Sequence, residues 1–345
     1  MSFVYKSYKS KIFMENDIFK KNMKEKILEV ESNMQKIMPN VAPESVYSLC
    51  WDFLNRGGKR VRPYLMLTMM EAFNKNYKSG LEIASGIELF HNFTLIHDDI
   101  EDGSELRRGK PCIHIMHGIP LAINAGDGMF VHVIKAITHS NLTCEQKQKV
   151  MEYLTHGFIQ VLNGQGYELG WIHDNEWNLT EEDYFKMAIG KTGELIATSA
   201  KVGAYLGGAS EKEILEMESF GLEIGLAFQI YDDVLNLIGE EEKYKKEIGG
   251  DIREGKRTLI VMHALKKLES KDKNELVRIL SAKKNSKEEI EYAINLMKKT
   301  GSIDYARHYA EGLVERAKKR LSVVKNNEKR KELEILSEMF VKRDV

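Results

Sequence analysis

Residues 89–102 read LFHNFTLIHDDIED, an apolar run that ends in an acidic cluster. A second stretch of this kind, GLAFQIYDDVLN, occupies residues 225–236. Carboxylates beside core-forming sequence lose hydration unless a cation or a hydrogen-bond network compensates them. Two such clusters, each followed by basic residues, therefore indicate the two walls of a site for metal ions and a polyanion.

The spacing inside each cluster places its polar groups on one face of a helix. Asp98 and Asp102 are four residues apart, so on a helix they lie one turn from each other, and Asp232 and Asn236 repeat that spacing. Several helices fit between the clusters, which are predicted to face each other across a bundle. Mg²⁺ prefers oxygen ligands and keeps waters and phosphates in its shell, so paired carboxylates suit it. For either cluster alone, an acidic helix end facing water is the alternative.

The rest of the chain has the pattern of an all-α protein. All five prolines lie within the first 120 residues, so no later proline forces a helix to break. Later apolar residues recur at spacings of three and four, and strand-like alternation is scarce. Thr180 and Ser286 precede acidic residues and predict helix starts. We therefore expect about ten long, mostly antiparallel helices, with a disordered segment at residues 1–20 and a single domain over residues 21–345.

Composition excludes several classes of function. Lys and Arg (51) nearly balance Asp and Glu (52), so the chain lacks the overall field that would attract nucleic acid or an anionic membrane. The three cysteines have no metal-ligand spacing and are expected to be reduced thiols. No secretory signal or transmembrane span is expected. A cytoplasmic location is predicted, with organelle targeting left open.

Basic segments accompany both acidic clusters. They are GGKRVRP (57–63), RRGK (107–110), Lys246 and GGDIREGKRT (249–258). Guanidinium and ammonium groups bind phosphate oxygens well, so these segments predict a substrate that carries a diphosphate. Within them, Arg60 and Arg253 are interpreted as solvated charges. The glycines of GQGYE (164–168) are interpreted as helix-contact residues.

Six segments in order resemble the trans-isoprenyl diphosphate synthases, also called polyprenyl synthases: GGKRVRP, HNFTLIHDDIEDGSELRRGKP, GQGYE, KTGEL, FQIYDDVLN and GGDIREGKRT. The resemblance covers roughly residues 45–320. Within the family, the motifs are most similar to those of the eukaryotic geranylgeranyl diphosphate synthases. It implies antiparallel helices around a deep central cavity and a homodimer or higher homo-oligomer. It also implies a reaction in which dimethylallyl, geranyl or farnesyl diphosphate ionises and alkylates isopentenyl diphosphate, giving geranylgeranyl diphosphate.

The resemblance also implies a role for each matching residue. Asp98, Asp102 and Asp232 would hold Mg²⁺, with three ions bound when diphosphate is present. The allylic diphosphate would be bound by Arg107, Lys191, Lys246 and Lys256. Isopentenyl diphosphate would be bound by Lys59, Arg62, His91 and Arg108. Lys191, Thr192 and Gln229 would face the developing cation, and Phe93 and Thr94 would limit chain length.

Several alternatives stay open at this point. The bulk of Phe93 favours a fifteen-carbon product, whereas the style of the motifs favours twenty carbons, so a farnesyl or a bifunctional synthase is possible. A terpene cyclase on the same fold would not need Lys59, Arg62 and Arg108. A non-catalytic helical partner subunit would be expected to lack the first aspartates or the arginine pair.

Overall fold

The computed structural model describes the backbone of residues 2–239, 248–282 and 284–341, and the side chains within these ranges from residue 17 onward. The first ten helices are α1 (Ser2–Ile37), α2 (Glu44–Asn55), α3 (Val61–Ala72), α4 (Leu81–Glu101), α5 (Ile113–His117), α6 (Ile119–Thr138), α7 (Cys144–His173), α8 (Glu181–Ala188), α9 (Glu194–Gly207) and α10 (Glu211–Ile238). The later helices are α11 (Gly250–Arg253), α12 (Leu259–Lys267), α13 (Ser270–Leu280), α14 (Lys287–Lys299), α15 (Ser302–Arg320) and α16 (Asn327–Val341).

Shorter elements complete the fold. A π-helical segment at Ile189–Gly193 joins α8 to α9, and 3-10 turns occupy Tyr77–Gly80 and Leu321–Val323. Strands β1 (Leu106–Arg107) and β2 (Lys110–Pro111) form a two-residue antiparallel hairpin directly after α4. The all-α prediction is confirmed. In the described part of the chain, no helix combines the length and apolar content needed to cross a bilayer.

The N-terminal segment differs from the expectation. Disorder was predicted for residues 1–20, whereas α1 begins at Ser2. No glycine or proline occurs before Pro39, and the segment is rich in Lys, Glu and Met, which favour helix through local propensity. The prediction of disorder used only the apolar period, which is weak in this segment.

The predicted helix starts are correct. The Thr180 hydroxyl accepts the N–H of Asp183 at 3.2 Å, and the Asp183 carboxylate accepts the N–H of Thr180 at 2.8 Å. Ser286 and Glu289 make the same reciprocal pair at the start of α14. Each pair satisfies two backbone donors that a helix end leaves without partners.

The chain divides into two compact units. The first comprises Met1–Tyr153, Ser199–Leu215 and Leu321–Leu336, and α4 packs within it against α1, α3 and α6. The second comprises Leu154–Thr198, Glu216–Arg320 and Ser337–Val345, with an apolar core from α8, α10 and α12 to α15. The first acidic cluster belongs to the first unit and the second cluster to the second. The expectation of one domain over residues 21–345 stays a prediction.

Candidate active site

The first acidic cluster lies at the C-terminal end of α4. Asp98 and Asp102 are half-buried, whereas Asp99 between them is only 1% exposed. Asp102 caps the helix, and its N–H donates to the Asp98 carbonyl at 2.8 Å. The four-residue spacing puts the two half-buried carboxylates on one face and turns Asp99 inward.

The hairpin after α4 carries the arginine pair. Arg107 Nε donates to Asp99 Oδ1 at 2.7 Å, and Arg107 Nη2 lies 2.5 Å from the same oxygen. Burial opposes the guanidinium charge, but the Asp99 carboxylate outweighs it and raises the pKa of Arg107. Arg108 takes a left-handed backbone conformation (φ 54°) in the turn between the two strands.

Among the described residues, no carboxylate forms an ion pair with Arg108. Its Nη1 donates to Asn92 Oδ1 at 3.4 Å, and its guanidinium carbon lies 5.4 Å from the centroid of the Phe53 ring. Burial, together with the nearby Arg60, lowers the pKa of Arg108 to about 10. The charge of Arg108 is therefore less compensated than that of Arg107 and is suited to an incoming anion.

Arg62 and His91 meet beside this pair. Arg62 Nη1 lies 3.3 Å from His91 Nε2, and Arg62 Nε is buried and has no hydrogen-bond partner in the described part of the chain. Burial lowers the pKa of Arg62 to about 10, and burial with the nearby Arg62 and Arg108 holds the pKa of His91 well below 6.5. A neutral imidazole can accept from the guanidinium. Lys59, the fourth predicted ligand of isopentenyl diphosphate, is exposed.

The lowered pKa of His91 leads us to predict that folding stability depends on pH. Because its pKa in the folded protein lies below the unfolded value of 6.5, the unfolded chain binds the proton first as pH falls. We expect His91 to cost stability progressively below pH 6.5, by at most about 1.4 kcal/mol per pH unit. Denaturant unfolding of wild type and His91→Gln from pH 7.5 to 5 measures this. An equal loss of stability in both proteins contradicts the prediction.

Arg60 corrects one interpretation. It was expected to be a solvated charge, but it is 3% exposed, pairs with Glu88 at 2.8 Å and donates to the Leu54 carbonyl at 2.7 Å. A buried guanidinium needs such compensation. The available signal was Glu88, an acidic residue inside the apolar run IASGIELF (83–90).

Phe93 lies in an aromatic cluster between α4 and α6. Its ring centroid is 5.4 Å from that of Phe130 and 4.6 Å from that of His97. Gly126 makes the close approach possible, since a Cβ there would lie 2.5 Å from His97 Nε2. Thr94, by contrast, donates its hydroxyl to the His91 carbonyl of its own helix at 2.9 Å.

In the second unit, a backbone contact positions Lys191. A Cβ on Gly164 would lie 2.1 Å from the Lys191 nitrogen, and one on Gly190 would lie 2.8 Å from the Gln160 carbonyl oxygen. Helix α7 therefore touches the π-helical segment backbone to backbone, and the Lys191 ammonium binds the buried Glu168 carboxylate. Burial raises the pKa of Glu168, but Lys191 and Lys256 more than offset this and lower it.

Thr192 and Gln229 belong to one hydrogen-bonded chain. The Thr192 hydroxyl donates to Gln229 Oε1 at 2.6 Å, and Gln229 Nε2 donates to Asp233 Oδ1 at 2.8 Å. Tyr184 donates its hydroxyl to Asp233 Oδ2 at 2.7 Å. Burial and the nearby Asp251 raise the pKa of Asp233 well above its ordinary value. These hydrogen bonds fix the orientation of the Gln229 amide. Sequence reasoning missed this network because its members lie on α8, the π-helical segment and α10.

The second acidic cluster divides its groups in the same way as the first. Asp232 is half-buried, whereas Asp233 is 5% exposed. Asn236 is buried, and its Oδ1 accepts the N–H of Asp251 at 3.1 Å, at the start of α11. The Asn236 amide therefore contacts the first turn of α11, and Asp232 is the half-buried acidic group of this cluster.

Lys256 and Lys246 are the two remaining residues that were predicted to bind phosphate. Lys256 is 20% exposed and pairs with Asp251 at 3.3 Å and with Glu254 at 2.5 Å. Lys246 lies outside the described residues. Arg253 is half-buried and so is not a fully solvated charge.

The donor set fits Mg²⁺ better than a soft metal. Within the described ranges, no three or more His, Cys, Asp or Glu side chains converge on one metal position. The carboxylates of Asp98 and Asp102 come as a half-buried pair instead. Mg²⁺ is commonly held by one or two carboxylates, with waters and substrate phosphates completing its shell.

Comparison with known proteins assigns the family. The model of the polyprenyl synthetase family matches residues 43–297. A short chain isoprenyl diphosphate synthase of Methanothermobacter thermautotrophicus is 34% identical over 314 residues, which cover 91% of this chain and 95% of the relative. The crystal structure of geranylgeranyl pyrophosphate synthetase from Pyrococcus horikoshii superposes with a TM-score of 0.89 at 37% identity, covering 95% of this chain and 99% of that one.

The chain therefore belongs to the polyprenyl synthetase family and is a prenyltransferase. A geranylgeranyl diphosphate synthase of Methanosarcina mazei is also 34% identical, over 297 residues that cover 86% of this chain and 89% of the relative. These relatives are archaeal. They do not support the particular likeness to eukaryotic enzymes that the motifs suggested.

Proposed function

We propose that the protein condenses isopentenyl diphosphate with allylic diphosphates of five to fifteen carbons and releases geranylgeranyl diphosphate. The observation that carries this proposal is the first unit's combination of half-buried Asp98 and Asp102 with the cations of Arg107, Arg108 and Arg62. Relatives named for geranylgeranyl diphosphate synthesis add support.

The chemistry begins with loss of the diphosphate. The allylic C–O bond breaks, and its electron pair leaves with the diphosphate, whose charge Arg107, Lys191 and Lys256 offset. Asp98, Asp102 and Asp232 would hold Mg²⁺, which would neutralise more of the diphosphate charge, and three ions are expected. Thr192 and Gln229 direct their oxygens toward the cationic carbon.

Carbon–carbon bond formation follows. Arg62, Arg108, Lys59 and the neutral His91 hold isopentenyl diphosphate so that its double bond adds to the allylic cation. The resulting cation loses a proton to the released pyrophosphate and becomes the longer allylic diphosphate. This route needs no side-chain base, because the leaving group is itself a basic polyanion within the site.

The direct test uses labelled isopentenyl diphosphate with dimethylallyl, geranyl or farnesyl diphosphate, followed by chromatographic sizing. We expect a twenty-carbon product from each starter. A product that stops at fifteen carbons supports the farnesyl alternative, and a cyclic hydrocarbon supports a terpene cyclase. No product from any starter with Mg²⁺ overturns the proposal.

Phe93 is proposed to limit chain length. It lies five residues before Asp98, about 7.5 Å along the helix axis, and its half-buried ring packs against Phe130 of α6. We expect Phe93→Ala to shift the product toward a longer chain, since it removes that bulk. Leu28→Ala, at an exposed position on α1 (55% exposed), is the control. Product sizing measures the shift, and an unchanged length in Phe93→Ala contradicts this role.

A second copy of the chain is the proposed partner. Helix α6 exposes an apolar stripe at helical spacing: Ile119, Ile123, Phe130, Val131 and Ile134. We expect Val131→Asp to reduce the mass measured by light scattering from a dimer or larger assembly toward a monomer. Leu28→Asp is the control. An unchanged assembly in Val131→Asp contradicts the use of this face. The cytoplasmic location stays a prediction.

A further inference from the structure

We propose that Asp99, the middle carboxylate of the first cluster, is a positioning residue that presents Arg107 to the allylic diphosphate and does not bind metal. The inference rests on the proposed function, because it assigns Arg107 to the substrate named there. Asp99 lies between Asp98 and Asp102, the two residues of this cluster that are proposed to hold Mg²⁺.

The geometry directs Asp99 away from solvent and toward the hairpin. Its side chain is 1% exposed, and Arg107 Nε and Nη2 both contact Oδ1. Its Oδ2 is buried and has no hydrogen-bond partner among the residues that the structure describes. The Cys112 thiol is a close neighbour, and burial with the Asp99 charge raises the pKa of that thiol to about 12. A carboxylate in such a place is stabilised mainly by Arg107, because an unpaired buried charge is costly.

The contact leaves one edge of Arg107 for the substrate. Nε and Nη2 face Asp99, whereas Nη1 makes no hydrogen bond to any described residue. The side chain is 20% exposed, so this edge is reachable. A planar guanidinium fork held on one side loses less rotamer freedom when the other side binds a phosphate.

The hairpin alone would not hold Arg107 in place. Its strands have two residues each, and such a ribbon is weak by itself. The backbone of Asp99 adds a second contact. Its carbonyl accepts a hydrogen bond from the N–H of Ser104 at 3.0 Å, in the loop before the hairpin. Asp99 therefore links the end of α4 to the position of Arg107 through both backbone and side chain.

Asp99 positions Arg107 and not Arg108. Arg108 is held by Asn92 and Phe53 and makes no hydrogen bond to Asp99. Loss of the Asp99 charge is therefore expected to weaken binding of the allylic diphosphate and to spare isopentenyl diphosphate. A metal ligand would behave differently, because its loss would raise the Mg²⁺ requirement.

The test is a double-mutant cycle of Asp99→Asn and Arg107→Gln. The amide keeps the size of the side chain and an acceptor oxygen but removes the charge. We expect Asp99→Asn to raise KM for geranyl diphosphate and the Kd for inorganic pyrophosphate about tenfold, as loss of a charged hydrogen bond would. KM for isopentenyl diphosphate and the half-saturating Mg²⁺ concentration are expected to stay within about twofold. Asp304→Asn, which removes the same charge from a side chain that is 68% exposed, is the control and leaves all four values unchanged.

The cycle distinguishes the outcomes. If Asp99 acts through Arg107, adding Asp99→Asn to Arg107→Gln changes nothing further. Additive losses, or a raised Mg²⁺ requirement in Asp99→Asn, overturn the inference. If circular dichroism shows that Asp99→Asn does not fold, the double variant Asp99→Asn/Arg107→Gln is compared with Arg107→Gln instead. Unequal Kd values for pyrophosphate in these two proteins overturn the inference. Failure of the proposed function appears separately, as a wild type that binds pyrophosphate but makes no prenyl product.

Discussion

Asp98→Ala is expected to lower kcat by at least about a thousandfold while the protein stays folded. Asp98 is half-buried at the end of α4, where its carboxylate is proposed to hold Mg²⁺ against the leaving diphosphate. Diphosphate departs slowly unless cations absorb its charge, so the chemical step should suffer most. Asp232→Ala is expected to act similarly, because Asp232 is the half-buried carboxylate of the second cluster.

The measurement is single-turnover condensation of geranyl diphosphate with labelled isopentenyl diphosphate across a range of Mg²⁺ concentrations. Circular dichroism verifies the fold. Asp304→Ala provides the control, since it removes the same charge from a side chain that is 68% exposed. Chelation of Mg²⁺ should abolish wild-type turnover, and added Mg²⁺ should restore it. Near-normal turnover in Asp98→Ala would exclude its metal role.

Gly164→Ala is expected to cost about a hundredfold in activity, with a loss of stability. A Cβ at this position would lie 2.1 Å from the Lys191 backbone nitrogen, so α7 and the π-helical segment must separate. Overpacking of this kind typically costs about 1–3 kcal/mol, against a gain of about 1 kcal/mol in helix propensity. The separation would displace Lys191 from Glu168, and a misplacement of about 1 Å can cost about a hundredfold in rate.

Gly166→Ala is the matched control in the same motif. Gly166 is exposed on the same helix, and a Cβ there meets nothing within 4 Å. It should raise stability by about 0.5–1 kcal/mol, because alanine is the better helix former, and leave activity unchanged. Urea unfolding and steady-state kinetics of both variants measure the contrast. Equal behaviour of the two variants would refute the close-contact argument.

Local sequence patterns predicted the parts of the site that depend on helix geometry. The four-residue spacing of Asp98 and Asp102 places them on one face of α4, and the capping boxes at Thr180 and Ser286 mark helix starts. Each follows from residues within one turn of each other. The helical N-terminal segment was missed because propensity, and not amphipathic period, favours helix there.

The environments of the other site residues depend on partners that are distant in sequence. Glu88 makes Arg60 a buried structural residue, and Asp251 gives Asn236 its role at the start of α11. Nothing in GQGYE distinguishes Gly164 from Gly166; only the π-helical segment against α7 does so. A residue's environment depends on which segments pack on it, and that information is not local.

The sequence by itself determined the family and the all-α fold and predicted which residues carry the chemistry, because ordered motifs and helical spacing are properties of the chain. The tertiary structure decided what each charged group does. In both clusters the first aspartate remains half-buried, whereas the second is buried, next to Arg107 in one case and to Tyr184 and Gln229 in the other. Burial and the available partners separate these neighbours, because a carboxylate with little access to water requires compensation from the protein.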